Sequence, residues 1–546
     1  MTAAVSGRAA IAGLGITEMT RAYTGDAVTL ALRAIHLALD DAGLAKDDLD
    51  GLLINSGVSS MGPADPGSLG LNLQTAGGFR NLRLCTHMNA AGSTTAQMVH
   101  YASLAINAGM ASAVACVFAD APLTPGQSAG GAYGRVRSVA GMAGLGPAYG
   151  FFGANTGYAL AAQRHMALYG TTHDQLGAVA VSTRAWATKN PRAMQRSPIT
   201  LEDYHNSRWV VEPLHLLDCT LVSNGGVAVI VTSAERARSL KQPPAYVVGM
   251  GQGHPGNPRR HGYENEVNTG AVLAKETAFR MAGITNDDVD VCELYDCYTY
   301  TTLVTLEDYG FCGKGEGGPF VEDGKLGPGG SLPTNTGGGE LSGYYMWGMT
   351  PLSEGVIQAR GQGGDRQVEK HDVVLVSCQG GVLDYHGCLI LSPHPSVRFG
   401  RSRRRSLTHS IVAPRNPVPQ PDEPSRPLFD GAGRGELMIQ RCTVCNTYLA
   451  PGSRACTECL SEALDWVPAS GKATLFTFAV MHQKYHPGFF DELPYNLAVV
   501  ELEEGPRLNT NIVGIPNADL RVGMPLMVTF EEAGEGVRLP RFKPAG

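Results

Sequence analysis

The chain is organised around one stretch, Asn286-Asp287-Asp288-Val289-Asp290-Val291-Cys292-Glu293-Leu294-Tyr295-Asp296-Cys297-Tyr298. An acidic turn leads into residues 289–294, whose alternation of apolar and acidic side chains predicts a β-strand. A helix-like segment, residues 301–309, follows. A tyrosine at the exit of a strand and beside a carboxylate can act as an acid or a base in a cleft. Tyr295 is therefore a candidate reacting residue, although on spacing alone a core tyrosine with a locally satisfied hydroxyl is the commoner case.

The order of elements around this stretch occurs twice in the chain. Each copy has an apolar strand ending near a glycine, a periodic helix stopped by a glycine, and an acidic turn before a second strand. The first copy covers residues 8–16, 27–43 and 48–54, and the second covers residues 245–251, 269–283 and 286–291. A long internal duplication with alternating strands and helices predicts an α/β layered core with largely parallel sheets.

Composition favours a soluble globular protein. The 546 residues correspond to roughly three to four domain-sized units, and 43% of them are hydrophobic against 17% charged. The net charge of −7 comes from mixed charges and predicts no nucleic-acid surface. No apolar run approaches the ~18 residues of a membrane span, and the N-terminus lacks the pattern of a signal peptide. Eight of the twelve cysteines are scattered, which suits a reducing, cytoplasmic location.

The other four cysteines predict a metal site near the C-terminus. They form two CxxC pairs separated by a ten-residue loop: Cys442, Cys445, Cys456 and Cys459. Four thiolates with no open position suit a structural zinc ion, and iron could occupy the same set. Short strand-like segments between residues 473 and 531 then predict a small OB-type barrel. This barrel lacks the basic, aromatic face that nucleic-acid binding requires.

Four motifs between about residues 8 and 393 resemble the thiolase superfamily, specifically the sterol-carrier-protein-X thiolases and the lipid-transfer-protein aldolases that cleave steroid side chains. Residues 424–546 resemble the zinc-ribbon/OB subunit that accompanies such enzymes, here fused. The four motifs are Asn89-Ala90-Ala91-Gly92, Glu293-Leu294-Tyr295-Asp296-Cys297-Tyr298, the glycine-rich loop from Asn335 to Gly343-Tyr344, and Cys378-Gln379-Gly380-Gly381.

The resemblance implies a domain organisation for the whole chain. We expect a thiolase-like core of α-β-α-β-α layers, a linker rich in Arg, Pro and Ser, a zinc ribbon and an OB-fold. The expected boundaries are 1–240 for the first half of the core, 241–395 for the second half, 396–427 for the linker, 428–468 for the ribbon and 469–546 for the OB-fold.

The departures from the thiolase pattern indicate the chemistry. Asn89 stands where thiolases carry the nucleophilic cysteine, and an amide cannot form an acyl-enzyme. Tyr295 and Tyr344 stand where the family has histidines. The resemblance therefore implies a retro-aldolase that cleaves the Cα–Cβ bond of a 3-hydroxyacyl-CoA without an acyl-enzyme, with coenzyme A as part of the substrate. The acyl group could be a steroid, an aromatic or a branched chain.

The resemblance also implies roles for individual residues. We expect Tyr295 to act as base and Tyr344 as proton relay or donor, while backbone N–H groups near Asn89 and Gly380 bind the enolate oxygen. Tyr345, Cys378 and His386 would line the pocket; Cys378 is equally a buried small residue, and His386 suits a structural role better.

Two other functions stay open on the sequence. A β-ketoacyl-CoA thiolase could use a displaced cysteine, Cys85 or Cys378, and a non-catalytic acyl-CoA or lipid carrier would turn nothing over. The family implies a homodimer, and the ribbon/OB module could dock an acyl-CoA hydratase.

Overall fold

The duplication predicted from the sequence is visible in the strand order of one large sheet. The computed structural model describes residues 5–60, 68–123, 125, 141–255, 267–396, 418–485, 489, 492–534 and 536–545. Its strands are β1 (Ala9–Ile16), β2 (Gly51–Ser56), β3 (Leu84–His87), β4 (Ala113–Asp120), β5 (Trp209–Glu212), β6 (Leu214–His215), β7 (Gly225–Ser233), β8 (Ala245–Gly253), β9 (Val291–Leu294), β10 (Val374–Gly380), β11 (Tyr385–Ser392), β12 (Met438–Cys442), β13 (Tyr448–Leu449), β14 (Leu464–Pro468), β15 (Lys472–Met481), β16 (Tyr495–Leu502), β17 (Arg507–Thr510), β18 (Pro525–Gly534) and β19 (Val537–Pro544).

Within the described residues, nine of these strands form a sheet in the order β3-β2-β4-β7-β1-β8-β11-β10-β9. Read outward from the centre, β1-β7-β4-β2 of the first half corresponds to β8-β11-β10-β9 of the second. The expectation of largely parallel sheets is wrong. Among the described strands of this sheet, only the pairs β2–β3, β2–β4 and β9–β10 are parallel. The closing strand of each half, β7 or β11, runs against both of its neighbours, and β1 and β8 pair antiparallel where the halves meet.

Helices cover the sheet in both halves. The helices of the described residues are α1 (Ala27–Ala42), α2 (Ser68–Gly77), α3 (Thr94–Asn107), α4 (Leu145–Ala148), α5 (Gly153–Tyr169), α6 (His173–Ala187), α7 (Leu201–Asn206), α8 (Ala234–Ala237), α9 (Ala271–Ala282), α10 (Thr299–Asp308), α11 (Gly317–Val321), α12 (Met349–Ala359) and α13 (Arg426–Arg434). None of them is long and apolar enough to cross a membrane.

Glycines bring equivalent helices of the two halves directly onto the sheet. A β-carbon added to Gly15 would lie 2.1 Å from the carbonyl oxygen of Ala34 in α1, and one added to Gly251 would lie 1.9 Å from that of Ala274 in α9. Neither distance can hold a real side chain, so the close approach requires glycine at both positions. The first and second halves therefore share packing as well as strand order.

The C-terminal part forms two small sheets that dock on the core. Strands β13, β12 and β14 build the ribbon, and β17-β16-β15-β18-β19 build the barrel. Strand β5 of the first half pairs with β15, which the sequence did not indicate. Thr477 Oγ1 also donates to the carbonyl oxygen of Leu160 in α5 at 2.8 Å. Residues 397–417, most of the predicted linker, lie outside the described residues.

Candidate active site

Tyr295 sits at the exit of β9, pressed against the turn that carries Asn89. Its side chain is almost fully buried, with 5% exposed, and its backbone N–H donates to the carbonyl oxygen of Ser377 at 2.9 Å. A β-carbon on Gly92 would lie 2.2 Å from Cε2 of the tyrosine ring. The ring therefore fills the space directly above this glycine.

The carboxylates of the same motif hold the glycine-rich loop in place. Glu293 Oε1 accepts hydrogen bonds from Thr336 N at 3.1 Å and from Thr336 Oγ1 at 2.6 Å. Asp296 Oδ1 accepts from Glu340 N at 2.7 Å. Asn335 completes the contact, because its Oδ1 accepts from Leu294 N at 2.7 Å. The acidic residues on either side of Tyr295 thus serve as anchors for the loop.

This loop ends in a π-helical turn that orients two consecutive tyrosines in different directions. The turn spans Gly339–Gly343, and Tyr344 follows in extended conformation with φ −161° and ψ 166°. The hydroxyl oxygen of Tyr344 lies 2.6 Å from Ser353 Oγ, whereas that of Tyr345 lies 3.3 Å from the hydroxyl oxygen of Tyr295. The structure therefore places Tyr345, rather than Tyr344, in hydrogen-bond contact with Tyr295.

Residues around Gly380, Cys378 and Gly348 pack against the turn that carries Asn89. A β-carbon on Gly380 would lie 2.7 Å from the carbonyl oxygen of Ala90, and one on Gly348 would lie 2.3 Å from that of Gly92. Cys378 is fully buried, and its thiol lies 3.6 Å from the carbonyl oxygen of Gly348. The starts of α3 and α12, which follow Gly92 and Gly348, therefore converge beside Tyr295, and their positive ends favour negative charge there.

Asn89 is exposed and shapes the turn. Its Oδ1 accepts a hydrogen bond from Ala91 N at 3.1 Å, and Ala90 N donates to Thr94 Oγ1 at 2.6 Å. Ala91 has a φ of 49°, which is uncommon for a residue other than glycine. The turn thus holds Ala91 in a strained conformation, and Asn89 itself offers no nucleophile.

His386 lies on the opposite face of the sheet from Cys378. Its Nε2 lies 2.8 Å from Ser377 Oγ and 3.2 Å from the hydroxyl of Tyr309, whereas the neighbouring Gly387 faces Ala96 in α3. Burial lowers the pKa of His386 to about 3. The structure therefore separates His386 from the tyrosine pair and holds it neutral.

The electrostatic environment keeps the tyrosines protonated. Burial raises the pKa of Tyr295 well above its usual value, and the nearby Tyr345 and Glu340 raise it further. Burial and then Glu340 raise the pKa of Tyr345 in the same way. Burial raises the pKa of Asp296 to about 7 although Glu340 N donates to it, and burial raises that of Tyr344 to about 12. Two neutral hydroxyls in contact can donate protons or pass them along.

Glu340 is the residue at this site that the motifs did not single out. Its side chain is fully buried, yet neither carboxyl oxygen has a hydrogen-bond partner among the described residues. The only hint in the sequence is an acidic residue directly after three glycines, in a loop with no apolar periodicity.

The cysteine cluster forms a second, separate centre. The four sulfur atoms of Cys442, Cys445, Cys456 and Cys459 lie within 4.8 Å of one another. The sulfur atoms of Cys445 and Cys456 are 3.4 Å apart and those of Cys442 and Cys459 are 3.6 Å apart, near the ~3.8 Å expected around a tetrahedral zinc with Zn–S bonds of about 2.3 Å. Cys445 and Cys459 are exposed while Cys442 and Cys456 are buried. This donor set fits a closed, four-coordinate metal site.

Comparison with known proteins identifies the family of the chain. Residues 260–393 match the thiolase C-terminal domain-like family, and residues 466–531 match the C-terminal OB-fold domain of ChsH2. The steroid side-chain-cleaving aldolase of Thermomonospora curvata is 36% identical over 387 residues, covering 68% of this chain and 96% of the relative.

Two further matches point the same way. The 17-hydroxy-3-oxo-4-pregnene-20-carboxyl-CoA lyase of Mycobacterium tuberculosis is 36% identical over 366 residues, covering 65% of this chain and 92% of the relative. A solved Ltp2-ChsH2(DUF35) aldolase is 34% identical with a TM-score of 0.61, covering 71% of this chain and 98% of that one. The resemblance inferred from the motifs is confirmed, and the chain belongs to the thiolase-like family of steroid side-chain-cleaving aldolases.

Proposed function

We propose that this protein is a carbon–carbon lyase that cleaves the Cα–Cβ bond of a 3-hydroxyacyl-CoA, releasing a ketone or aldehyde and a shorter acyl-CoA. One observation carries the proposal: the hydroxyls of Tyr295 and Tyr345, 3.3 Å apart, face a thiolase-type turn in which Asn89 replaces the nucleophile. Without a thiolate, acyl transfer has no acceptor. A pair of proton-carrying groups is what a retro-aldol cleavage needs.

The cleavage moves one proton and consumes no other reactant. A base removes the proton of the β-hydroxyl, the Cα–Cβ bond breaks, and the electron pair collects on the thioester as an enolate. The α-carbon then takes up a proton. We assign the β-hydroxyl proton to Tyr295, with Tyr345 in the relay role that the motif alone gave to Tyr344. Tyr344 supports the pocket through Ser353.

The enolate oxygen needs donors that are in place before the reaction. The converging starts of α3 and α12 supply positive potential, and the peptide groups around Gly380 lie against the Asn89 turn. We place the thioester oxygen here. The N–H groups of Ala90 and Ala91 already donate within the turn, so in place of these backbone groups we assign the side-chain amide of Asn89 as the donor on this side.

The names of the relatives guide the choice of substrate. Both aldolase and lyase relatives act on steroids by their names, so we propose a coenzyme A thioester of a steroid side chain. Aromatic and branched acyl groups are the alternatives. Coenzyme A enters and leaves as part of the thioester.

We further propose that zinc occupies the four-cysteine site as a structural ion and that the protein forms a homodimer. Strand β3 (Leu84–His87) is one of the two edge strands of the large sheet, and an edge strand can pair with a second copy. The docking of an acyl-CoA hydratase on the ribbon/OB module, which would deliver the β-hydroxy substrate, stays a prediction.

The thiolase alternative lacks an activated thiol. Burial raises the pKa of the Cys378 thiol far above its usual range, and burial raises that of Cys85 as well. Neither would be a thiolate near neutral pH.

An assay over a panel of 3-hydroxyacyl-CoA thioesters tests the function. The wild-type protein is expected to release carbonyl product and shorter acyl-CoA in equal amounts from at least the steroid member. Tyr295→Phe should bind the thioester but release nothing. Binding without turnover by the wild type would support the carrier alternative instead.

A further inference from the structure

Glu340 stands out among the buried acidic residues of the described structure. It belongs to the π-helical turn Gly339–Gly343, is fully buried, and has two carboxyl oxygens without a hydrogen-bond partner in the described part of the chain. Leaving a buried carboxyl unpaired costs stability. Single π-turns are frequent at functional sites. A buried, unpaired carboxyl in a native protein therefore needs a functional explanation.

The backbone around Glu340 is fixed firmly while its side chain is left unpaired. Its N–H donates to Asp296 Oδ1 at 2.7 Å, and its carbonyl oxygen accepts from Leu221 N at 3.0 Å and Thr220 Oγ1 at 3.1 Å. Ser223 lies two residues after Leu221. Its Oγ accepts a hydrogen bond from Tyr345 N at 3.0 Å and donates one to the Tyr345 carbonyl oxygen at 3.1 Å. One short segment therefore sets the positions of both Glu340 and Tyr345.

The carboxyl of Glu340 lies near enough to influence the whole tyrosine cluster. A charge on it raises the pKa of Tyr295, Tyr345, Tyr158, Cys297 and Cys378. Burial raises its own pKa well above 4.5, and Asp296 raises it further. Arg184 packs on the same turn but donates to Ser342 Oγ and to the Ser197 carbonyl oxygen. The titratable groups with which Glu340 interacts are thus neutral or acidic.

We propose that Glu340 holds the proton behind the tyrosine pair, accepting through Tyr345 the proton that Tyr295 takes from the substrate's β-hydroxyl. This inference rests on the proposed cleavage. In the forward step the β-hydroxyl proton passes to Tyr295, a phenolic proton passes from Tyr295 to Tyr345, and one passes from Tyr345 to the Glu340 carboxylate. Because the Glu340 oxygens have no hydrogen-bond partner in the described structure, this last transfer requires the Glu340 side chain to turn toward Tyr345. After the bond breaks, the same chain runs backward and delivers a proton to the α-carbon. The carboxylate is regenerated and no other reactant is consumed.

The proton relay needs a terminal acceptor such as Glu340 because the two tyrosines, already protonated, cannot hold an additional proton. A tyrosine with an ordinary pKa of ~10 is already a poor sink near neutral pH, and burial makes these two poorer. The reaction then requires the ionised form of Glu340. Turnover should therefore rise with pH as Glu340 loses its proton.

Three variants separate this role from a structural one. Glu340→Gln keeps the shape and cannot titrate, so kcat should fall by roughly 100-fold or more, the range of general acid–base catalysis, and the rise with pH should vanish while KM changes little. Glu340→Met removes an unpaired buried carboxyl, so it should melt at an equal or higher temperature and be equally inactive. Glu340→Asp keeps a carboxyl and should retain part of the pH-dependent activity.

Glu307→Gln is the matched control. Glu307 is a buried carboxylate whose oxygens contact His165 at 3.0 Å and Lys314 at 3.1 Å, so this change should lower the melting temperature and leave the pH profile of kcat unaltered. Near-wild-type kcat with an unchanged pH profile in Glu340→Gln would overturn the inference while the proposed function stands.

A second readout needs no substrate. Infrared difference spectra between acidic and alkaline pH should show a titrating carboxylic-acid band in the wild type that is absent in Glu340→Gln. The same band in both proteins would contradict the assignment. If the wild type cleaved none of the thioesters, the proposed function would fail first, and this inference with it.

Discussion

At the scale of single residues, the two consecutive tyrosines should behave differently. Tyr345→Phe removes the hydroxyl that contacts Tyr295, so we expect kcat to fall by about 100-fold or more, as when an acid–base group is lost. Tyr344→Phe removes only the contact with Ser353, so we expect a loss of about 1 kcal/mol of stability and kcat within a few-fold of wild type. Steady-state kinetics and urea unfolding on both variants check this. A larger loss of kcat in Tyr344→Phe would reverse our assignment.

The sequence could identify Tyr295 but could not choose its partner. Tyr295 lies between Glu293 and Asp296 in a motif that matches the family pattern residue by residue, so its place follows from the match. Tyr344 and Tyr345 are adjacent in an extended segment, where successive side chains point in opposite directions. A π-turn carries one more residue than an α-helical turn and changes which side chain faces the site. Motif spacing does not report that extra residue, nor the burial of Glu340.

His386 offers a test of the electrostatics away from the site. Its folded-state pKa of about 3 lies below the ordinary value of 6.5, so between these values the unfolded chain binds a proton that the folded chain excludes. Stability therefore falls as pH drops through this window, by up to 1.4 kcal/mol per unit. Relative to His386→Asn, the wild type should lose about 2 kcal/mol between pH 7 and pH 5 by urea unfolding. A pH-independent difference would show that His386 titrates normally.

At the scale of elements, the turn before α3 depends on the absence of a side chain. In Gly92→Ala the new β-carbon would meet the Tyr295 ring at 2.2 Å, so the ring or the turn must shift, and misplacing a reacting group by about 1 Å can cost ~100-fold in rate. Gly433→Ala is the control, since nothing lies within 4 Å of a β-carbon there, and it should be neutral or slightly stabilising. Wild-type kcat in Gly92→Ala would mean that the ring does not need its present position.

The order of strands and helices could be predicted from local sequence patterns. Whether neighbouring strands run parallel or antiparallel could not. The repeated strand, glycine-stopped helix and acidic turn emerged as expected in both halves. The antiparallel pairing of β7 and β11 depends on how distant segments return to the sheet, which local periodicity does not encode. The same holds for β5, whose union with the barrel through Val211 and Met481 joins residues far apart in sequence.

At the scale of the whole molecule, the ribbon and barrel are part of one assembly with the core. Tyr149 of the core donates to the carbonyl oxygen of Pro540 at 2.7 Å, and Asn511 Nδ2 donates to the carbonyl oxygen of Tyr149 at 2.9 Å. Asn155 links Tyr298 of the central motif to Tyr485 of the C-terminal part through two hydrogen bonds. The chain boundaries at residues 240, 395, 427 and 468 stay predictions.

Metal removal should separate stability from chemistry. Cys456→Ser breaks a closed four-thiolate site, so bound zinc should fall from about one per chain to near zero, and the melting temperature should drop because binding energy at such sites is folding energy. The ion supplies none of the proton transfers, so cleavage should persist below the new melting temperature. Elemental analysis and calorimetry, with Cys312→Ser as the control thiol, provide the measurement. A metal content unaffected by Cys456→Ser would refute the assigned site.

Dependence on free coenzyme A tests the central claim most directly. Cleavage of a steroid 3-hydroxyacyl-CoA would be followed with and without added coenzyme A, with carbonyl product and shorter acyl-CoA quantified. We predict the same rate in both conditions, one carbonyl released per shorter acyl-CoA, and no consumption of free coenzyme A. Cleavage that requires coenzyme A and consumes it in proportion to product would contradict the account and make the protein a thiolase.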